Sequence, residues 1–389
     1  MPFPHNVYKT QRIVPLRFKR AISGSPFLGF PDIDDRGWFR PDPAGNSAAT
    51  NDHGFVVGVT EGKTAYVKVK REKLENSATL FVESSNTAVM TVIENGGTDQ
   101  LTTVNEPLLK IDGVSGGAGA TPKIARVQIH FGTKTGPIIG ELSVWVYKKV
   151  NVNLVPHNVT IRSAAAAGVA SAANIASVMD TVKAIWETAG VDITVAAVQN
   201  DNVTFAGVGV AQWQAEVNTL LNTNWVPSSI NAYFVNQIAM AGVPGVLGVG
   251  ISRPNSVAFA TPNPGIILGD TNVSGSNRAG DTHWLANDIA HEMGHFFTLP
   301  HVDNIDNSAA HQGREDSWAL RLLMHPTNTH FFADHRNDTG YGTAGDGTGY
   351  RGALISLKDL VDSGNAAHHS TDAEVKTART SITSVAGPY

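Results

Sequence analysis

The spacing of apolar residues changes its period near residue 150, and that change constrains the fold more than any single motif does. From about residue 50 to 149, apolar and polar residues alternate through FVVGVTEGKTAYVKVKR, ATLFVES, AVMTVIENGG, ARVQIHFGTKTG and GELSVWVYKK. Period-two patterning rich in β-branched residues, broken by Gly, Asn and Ser about every ten residues, predicts a small antiparallel β-sandwich. After residue 150, strand-like and helix-like segments take turns, which marks a separate α/β unit. VNVNLVPHNVTI reads as a strand. In NIASVMDTVKAIWETAG the residues Ile175, Val178, Met179, Val182, Ile185, Trp186 and Ala189 share one helix face, and Gly190 stands where a C-terminal cap belongs. VDITVAAV reads as a strand, VAQWQAEVNTLL as an amphipathic helix and INAYFVNQI as another strand, followed by the short apolar segments GVLGVGIS, SVAFA and GIILGD. The expectation is a mixed sheet covered by helices. Three parts result: an irregular segment over 1–50 rich in Pro, Gly and Asp that wraps a neighbouring domain, a sandwich over 51–150, and the α/β unit over 151–389.

Composition removes several classes of function. Charged residues are 16% of 389 and the net charge is −5, so no basic field exists to hold nucleic acid or an anionic membrane surface. The chain has no cysteine, which excludes disulfides, a thiol nucleophile, cysteine-ligated zinc and any cysteine plug on a metal. No apolar run approaches the roughly 20 residues of a membrane span. The opening MPFPHNVYKTQRIVPLRFKR lacks the continuous apolar core of a secretory signal. Low charge with abundant Ala, Val, Asn, Thr and Gly is similar to exported bacterial enzymes. The expectation is therefore a soluble protein, exported or injected without a Sec signal.

Against this background the histidines of HEMGHFFTLPH, His291 to His301, stand out, three of the 14 falling within one short stretch. DTHWLANDIAHEMGHFF predicts a helix opened by Asp281 or Thr282, with Trp284, Leu285, Ile289, Met293, Phe296 and Phe297 buried. His291 and His295 are one turn apart, so their imidazoles project on one side, about 5–6 Å apart at Cβ, and can share a metal. Glu292 lies roughly 100° further round, at the rim, where a carboxylate can hold a water without ligating the ion. A catalytic zinc needs a third protein ligand and one open position. Pro300 stops the helix and disfavours α conformation at Leu299, so the chain bends before His301 and can bring a third imidazole back.

The spacing of His291, Glu292, His295 and His301 resembles the HExxHxxGxxH pattern of the metzincin metallopeptidases, with Thr298 at the family's glycine. That glycine permits a tight turn, and a β-branched residue at positive φ would cost about 1–3 kcal/mol. Either Thr298 takes a different turn, or the third ligand is displaced; Glu315 is the candidate if the site is gluzincin-like instead. RLLMHPT, Arg321 to Thr327, looks like the methionine turn that the family places beneath its imidazoles, with Met324 as the floor. The resemblance implies a metzincin-like domain of mixed sheet, active-site helix and methionine turn. It also implies one catalytic Zn²⁺ on His291, His295 and His301, with Glu292 as general base to a metal-activated water. The substrate would be a protein or peptide extended along an edge strand from residues 246–260, with Leu322, Leu323, His325, Pro326 and Thr327 around the pocket past the cleaved bond. ESSNTAVMTVIENGG together with GELSVWVYKK resembles bacterial immunoglobulin-like domains, which implies a targeting, docking or inhibitory N-terminal module.

Other features carry blander readings beside the functional ones. Asp288, one turn before His291, is a partner for an imidazole or an exposed carboxylate. His330 and His335, after the methionine turn, and the pair His368 and His369 read as solvated. Asp32, Asp34 and Asp35 are ordinary turn acids before they are a Ca²⁺ site. Tyr341 and Tyr350 either face an oxyanion or belong to a glycine-rich loop. The competing function is that of an inactive zincin-fold adhesin or binding protein, with Thr298 as its sign of decay. A toxin delivered into another cell would share the peptidase chemistry and differ in address.

Overall fold

The computed structural model describes residues 16–20, 55–71, 74–161, 172–204, 213–238, 248–251, 263–271, 282–299, 323–324 and 374–384. Two sheets form the first unit. One has the order β1 (Leu16–Arg20), β3 (Thr64–Arg71), β7 (Leu108–Gly113), β5 (Met90–Glu94), all antiparallel. The other has β2 (Phe55–Thr60), β9 (Ile138–Tyr147), β8 (Lys123–Phe131), β4 (Leu80–Ser84) and β6 (Gln100–Leu101). Alternation along each strand sends one face inward, so Val67, Val69 and Ile111 of the first sheet share a core with Val57, Val127 and Val144 of the second. The sandwich is not wholly antiparallel as expected, because β2 runs parallel to β9. Strand β1 lies inside the segment read as irregular, and it contributes Leu16 and Phe18 to the sandwich core.

The second unit is a mixed, mainly parallel sheet flanked by helices. Its central strand β10 (Val150–Ile161) carries β11 (Val191–Val195) and β12 (Gln199–Val203) end to end along one side. On the other side follow β13 (Ile230–Gln237), β15 (Gly265–Thr271) and, antiparallel at the edge, β14 (Gly248–Ile251). The helices among the described residues are α1 (Ala172–Glu187), α2 (Trp213–Asn222), α3 (Thr282–Phe296) and α4 (Glu374–Ser384). Because side chains alternate across a strand, Ile230, Ala232 and Phe234 of β13 join the core with α1 and α3. Tyr233 and Val235 join Val217, Leu220 and Leu221 of α2 on the opposite face. Gly190 closes α1 with φ 74°, as its position predicted. No helix among the described residues is long and apolar enough to cross a membrane.

Contacts between the two units are specific. Val56 of β2 lies in the core of the second unit. Lys63 donates to Glu187 at 2.7 Å and lies 3.4 Å from Asp192, which also meets Lys149 at 3.0 Å. Arg379 of α4 is fully buried at this junction, where it donates to the carbonyls of Ala189 at 2.9 Å, Lys148 at 3.0 Å and Gly119. Its guanidinium also lies 4.9 Å from the Tyr147 ring centre, and burial lowers its pKa from the usual arginine value.

Candidate metal centre

Helix α3 is buried on more than its apolar face. Leu285, Ile289, Met293, Phe296 and Phe297 pack toward α1 and the sheet, with Phe297 edge-on to Trp186 at 4.9 Å. Asn287, Asp288, His291 and Glu292 are buried too, so Asp288 is not the exposed carboxylate of the alternative reading. Four buried polar side chains within six residues of one helix are costly to desolvate, and such groups persist where they are satisfied by partners or serve chemistry.

The two imidazoles one turn apart do meet. The rings of His291 and His295 lie 4.8 Å between centres and are perpendicular, at 90°. Nδ1 of His291 lies 2.6 Å from the carbonyl of Leu323, and Nδ1 of His295 lies 2.8 Å from that of Leu299. A carbonyl only accepts, so each Nδ1 carries a proton, which leaves Nε2 with the lone pair whenever the ring is neutral. This is the tautomer that metal coordination through Nε2 requires, fixed by backbone acceptors outside the ring pair.

Both acceptors sit in turns. Thr298 adopts φ 68°, the left-handed conformation that glycine would take. Its N–H donates to His295 O at 2.9 Å, and the next N–H, of Leu299, reaches back to Gly294 O at 2.9 Å. This paired closure is a Schellman motif with a threonine at its left-handed position. The sequence left open whether Thr298 would choose a different turn; it keeps the glycine-like one and aims Leu299 O at His295. The second turn holds Leu323 and Met324, both buried. Met324 Sδ presses on Gly294, where a Cβ would collide with it, and its Cε would be 3.1 Å away.

The edge strand covers the other side of the helix. A Cβ at Gly248 would lie 2.6 Å from Glu292 Oε1, and one at Gly250 would lie 2.7 Å from His295 Cβ. The structure thus brings together His291, Glu292, His295, Leu323, Met324 and β14. His301, Leu322, His325, Pro326, Thr327, Glu315, Trp284 beyond its backbone, the Asp32, Asp34 and Asp35 cluster, His330, His335, Tyr341, Tyr350, His368 and His369 lie outside the described residues. Among the described residues no group of three or more His, Asp or Glu is gathered as metal ligands.

A second buried polar network was not singled out in the sequence. His157 of β10 meets Asp201 Oδ2 at 2.8 Å through Nδ1 and Asn231 Oδ1 at 3.0 Å through Nε2. Asn231 is locked by donating to the carbonyls of Val226 and Ser229, and Asn224 donates to Asp201 at 2.7 Å. Tyr233 stacks on the imidazole at 4.3 Å, and burial, with the Asp201 charge, drives its hydroxyl pKa well above the ordinary range. The sequence signal was His157 and Asn231 inside strands with a regular apolar pattern, while Asp201 in the polar QNDNV gave none. With His157, Asp201 and Asn231 buried, this network ties β10, β12 and β13 together.

No family model matches the chain, and no curated protein matches it. Among solved structures, one similar chain is a sialyltransferase from Photobacterium damsela, at 8% identity and a TM-score of 0.19. The similarity covers 46% of this chain and 36% of that one, and so slight an overlap carries no argument about function.

Proposed function

We propose that the protein is a zinc-dependent endopeptidase of metzincin-like build, carrying an immunoglobulin-like N-terminal module. The observation that carries this reading is the pair of imidazoles on one helix side, each with Nδ1 held by a backbone carbonyl. Incidental histidines on a solvated helix have no reason to share one tautomer, with the ring of His291 buried. Zinc fits this donor set, since neutral imidazole nitrogen is among its preferred ligands; His291, His295 and His301 would hold it. When bound, zinc supplies Lewis acidity for water activation and for polarising a carbonyl.

The chain's own residues do the rest. Glu292, one residue from the first ligand and buried, takes a proton from the attacking water and returns it to the leaving amine. Strand β14 lies at the sheet edge beside Glu292, where an extended peptide can add as a further strand. Leu323 and, as the metzincin resemblance implies, Leu322, His325, Pro326 and Thr327 would wall the pocket beyond the cleaved bond. Met324 supports the helix from the opposite side.

The test is zinc content and casein cleavage by the wild type, Glu292→Ala and His301→Ala. The proposal expects about one zinc per chain in the wild type and Glu292→Ala, less in His301→Ala, and cleavage only by the wild type. Equal cleavage by Glu292→Ala rejects the mechanism. Zinc without turnover on any protein favours the binding protein instead.

A further inference from the structure

Strand β14 has a face without side chains turned to the helix that carries the proposed base. In Gly248-Val249-Gly250, alternation puts Val249 against the α2-side core while the two glycines face α3. The glycines meet different things. A Cβ at Gly248 would lie 2.5 Å from Glu292 Cγ, 2.7 Å from Cδ and 2.6 Å from Oε1, so it would overlap the carboxylate arm itself. A Cβ at Gly250 would strike the Glu292 carbonyl oxygen and lie 2.7 Å from His295 Cβ, so it would overlap the helix backbone and the root of a ligand. Neither glycine has a positive φ, so conformation does not explain them; space does.

We infer that Gly248 is a positioning residue: its missing side chain is the space in which the Glu292 carboxylate is held beside the metal site. Gly250 is the spacer that sets how closely α3 and its histidines approach the strand. An alanine at 248 meets a side chain that can rotate, so the fold yields there by moving the carboxylate. An alanine at 250 meets backbone that cannot rotate away, so the whole helix shifts. The edge strand is then part of the device that aims the base as well as a surface for substrate.

The inference rests on the peptidase reading, and the test separates the two. Full-length Gly248→Ala and Gly250→Ala are compared with wild type for zinc affinity by competition with a chromophoric chelator, for thermal midpoint, and for kcat and KM on a casein-derived peptide. Gly248→Ala should keep zinc affinity and midpoint while kcat falls roughly 100-fold, the scale for misplacing a reacting group by about an ångström. KM should stay within about twofold. Gly250→Ala should lose zinc affinity and midpoint together. Wild-type kcat in Gly248→Ala, or a loss of activity there that only tracks zinc loss, overturns the inference. If the zinc-loaded wild type cleaves nothing, the peptidase reading fails by itself. Crystal structures of wild type and Gly248→Ala then decide the inference: a displaced Glu292 carboxylate supports it, and an unmoved one overturns it.

Discussion

The sulfur of Met324 occupies the place where Gly294 would otherwise carry a β-carbon. Gly294 lies between Glu292 and His295, so the methionine bears directly on the segment that holds both imidazoles. Gly294→Ala should therefore destabilise the protein by about 1–3 kcal/mol, the scale of overpacking a filled core. On the proposed zinc reading, metal affinity should fall with it, because Leu323, next to Met324, accepts from His291. Urea unfolding and chelator competition check both effects. Undiminished zinc affinity would show that the floor does not position the ligands.

Thr298 pays a conformational penalty at φ 68° and is exposed, so its side chain offers little packing in return. Thr298→Gly should stabilise the protein by about 1 kcal/mol, the left-handed strain of roughly 1–2 kcal/mol less the added chain entropy of glycine. The denaturant midpoint should rise at unchanged slope. A fall would mean that the threonine makes a compensating contact.

Arg379 satisfies three carbonyls drawn from the sandwich, the link between the units and the end of α1. Replacing it with methionine should cost roughly 3 kcal/mol, since hydrogen bonds from a charged donor are each worth about 1.5–3 kcal/mol and do not add fully. Arg379→Lys should recover little of this, because a single ammonium lacks the planar fork that spans three acceptors. Denaturation followed separately by sandwich and second-unit probes should then split into two transitions. A single unshifted transition would refute the role.

Tyr233 gives a prediction on the alkaline side. Its folded pKa is raised by burial first and by the Asp201 charge second. Above the ordinary tyrosine value of about 10 the unfolded chain loses this proton while the folded chain keeps it. Protons bound then favour the folded state, and stability falls as pH rises. Tyr233→Phe should therefore show a shallower loss of stability above about pH 10 than wild type, at the expense of the bond to Thr223 O. Parallel slopes would refute the assignment.

The parts of the fold that could be read from sequence were those where one period repeats without interruption. The apolar face of α1 from Ile175 to Trp186 and the alternation in β3 are of this kind, and both are buried as read. Strand β12, QNDNV, escaped because its inward positions include Asp201, whose burial depends on His157 and Asn224 from distant segments. The parallel pairing of β2 with β9 escaped for a related reason, since no local pattern records which remote strand a segment will join. At the site, HExxH spacing placed His291 and His295 together. The tautomers could not be read, because they depend on Leu323 O, 32 residues away, and on the turn at Thr298. The glycines of β14 fell in a segment read simply as short and apolar, and they are contact points in space.

The carbonyls that Arg379 joins precede it by 190 to 260 residues. At ribosomal speed that delay is on the order of tens of seconds, ample for a domain to collapse on its own. The contacts of Val56 and Lys63 across this junction can therefore form early, and the three carbonyls wait for translation to deliver the guanidinium that ties them.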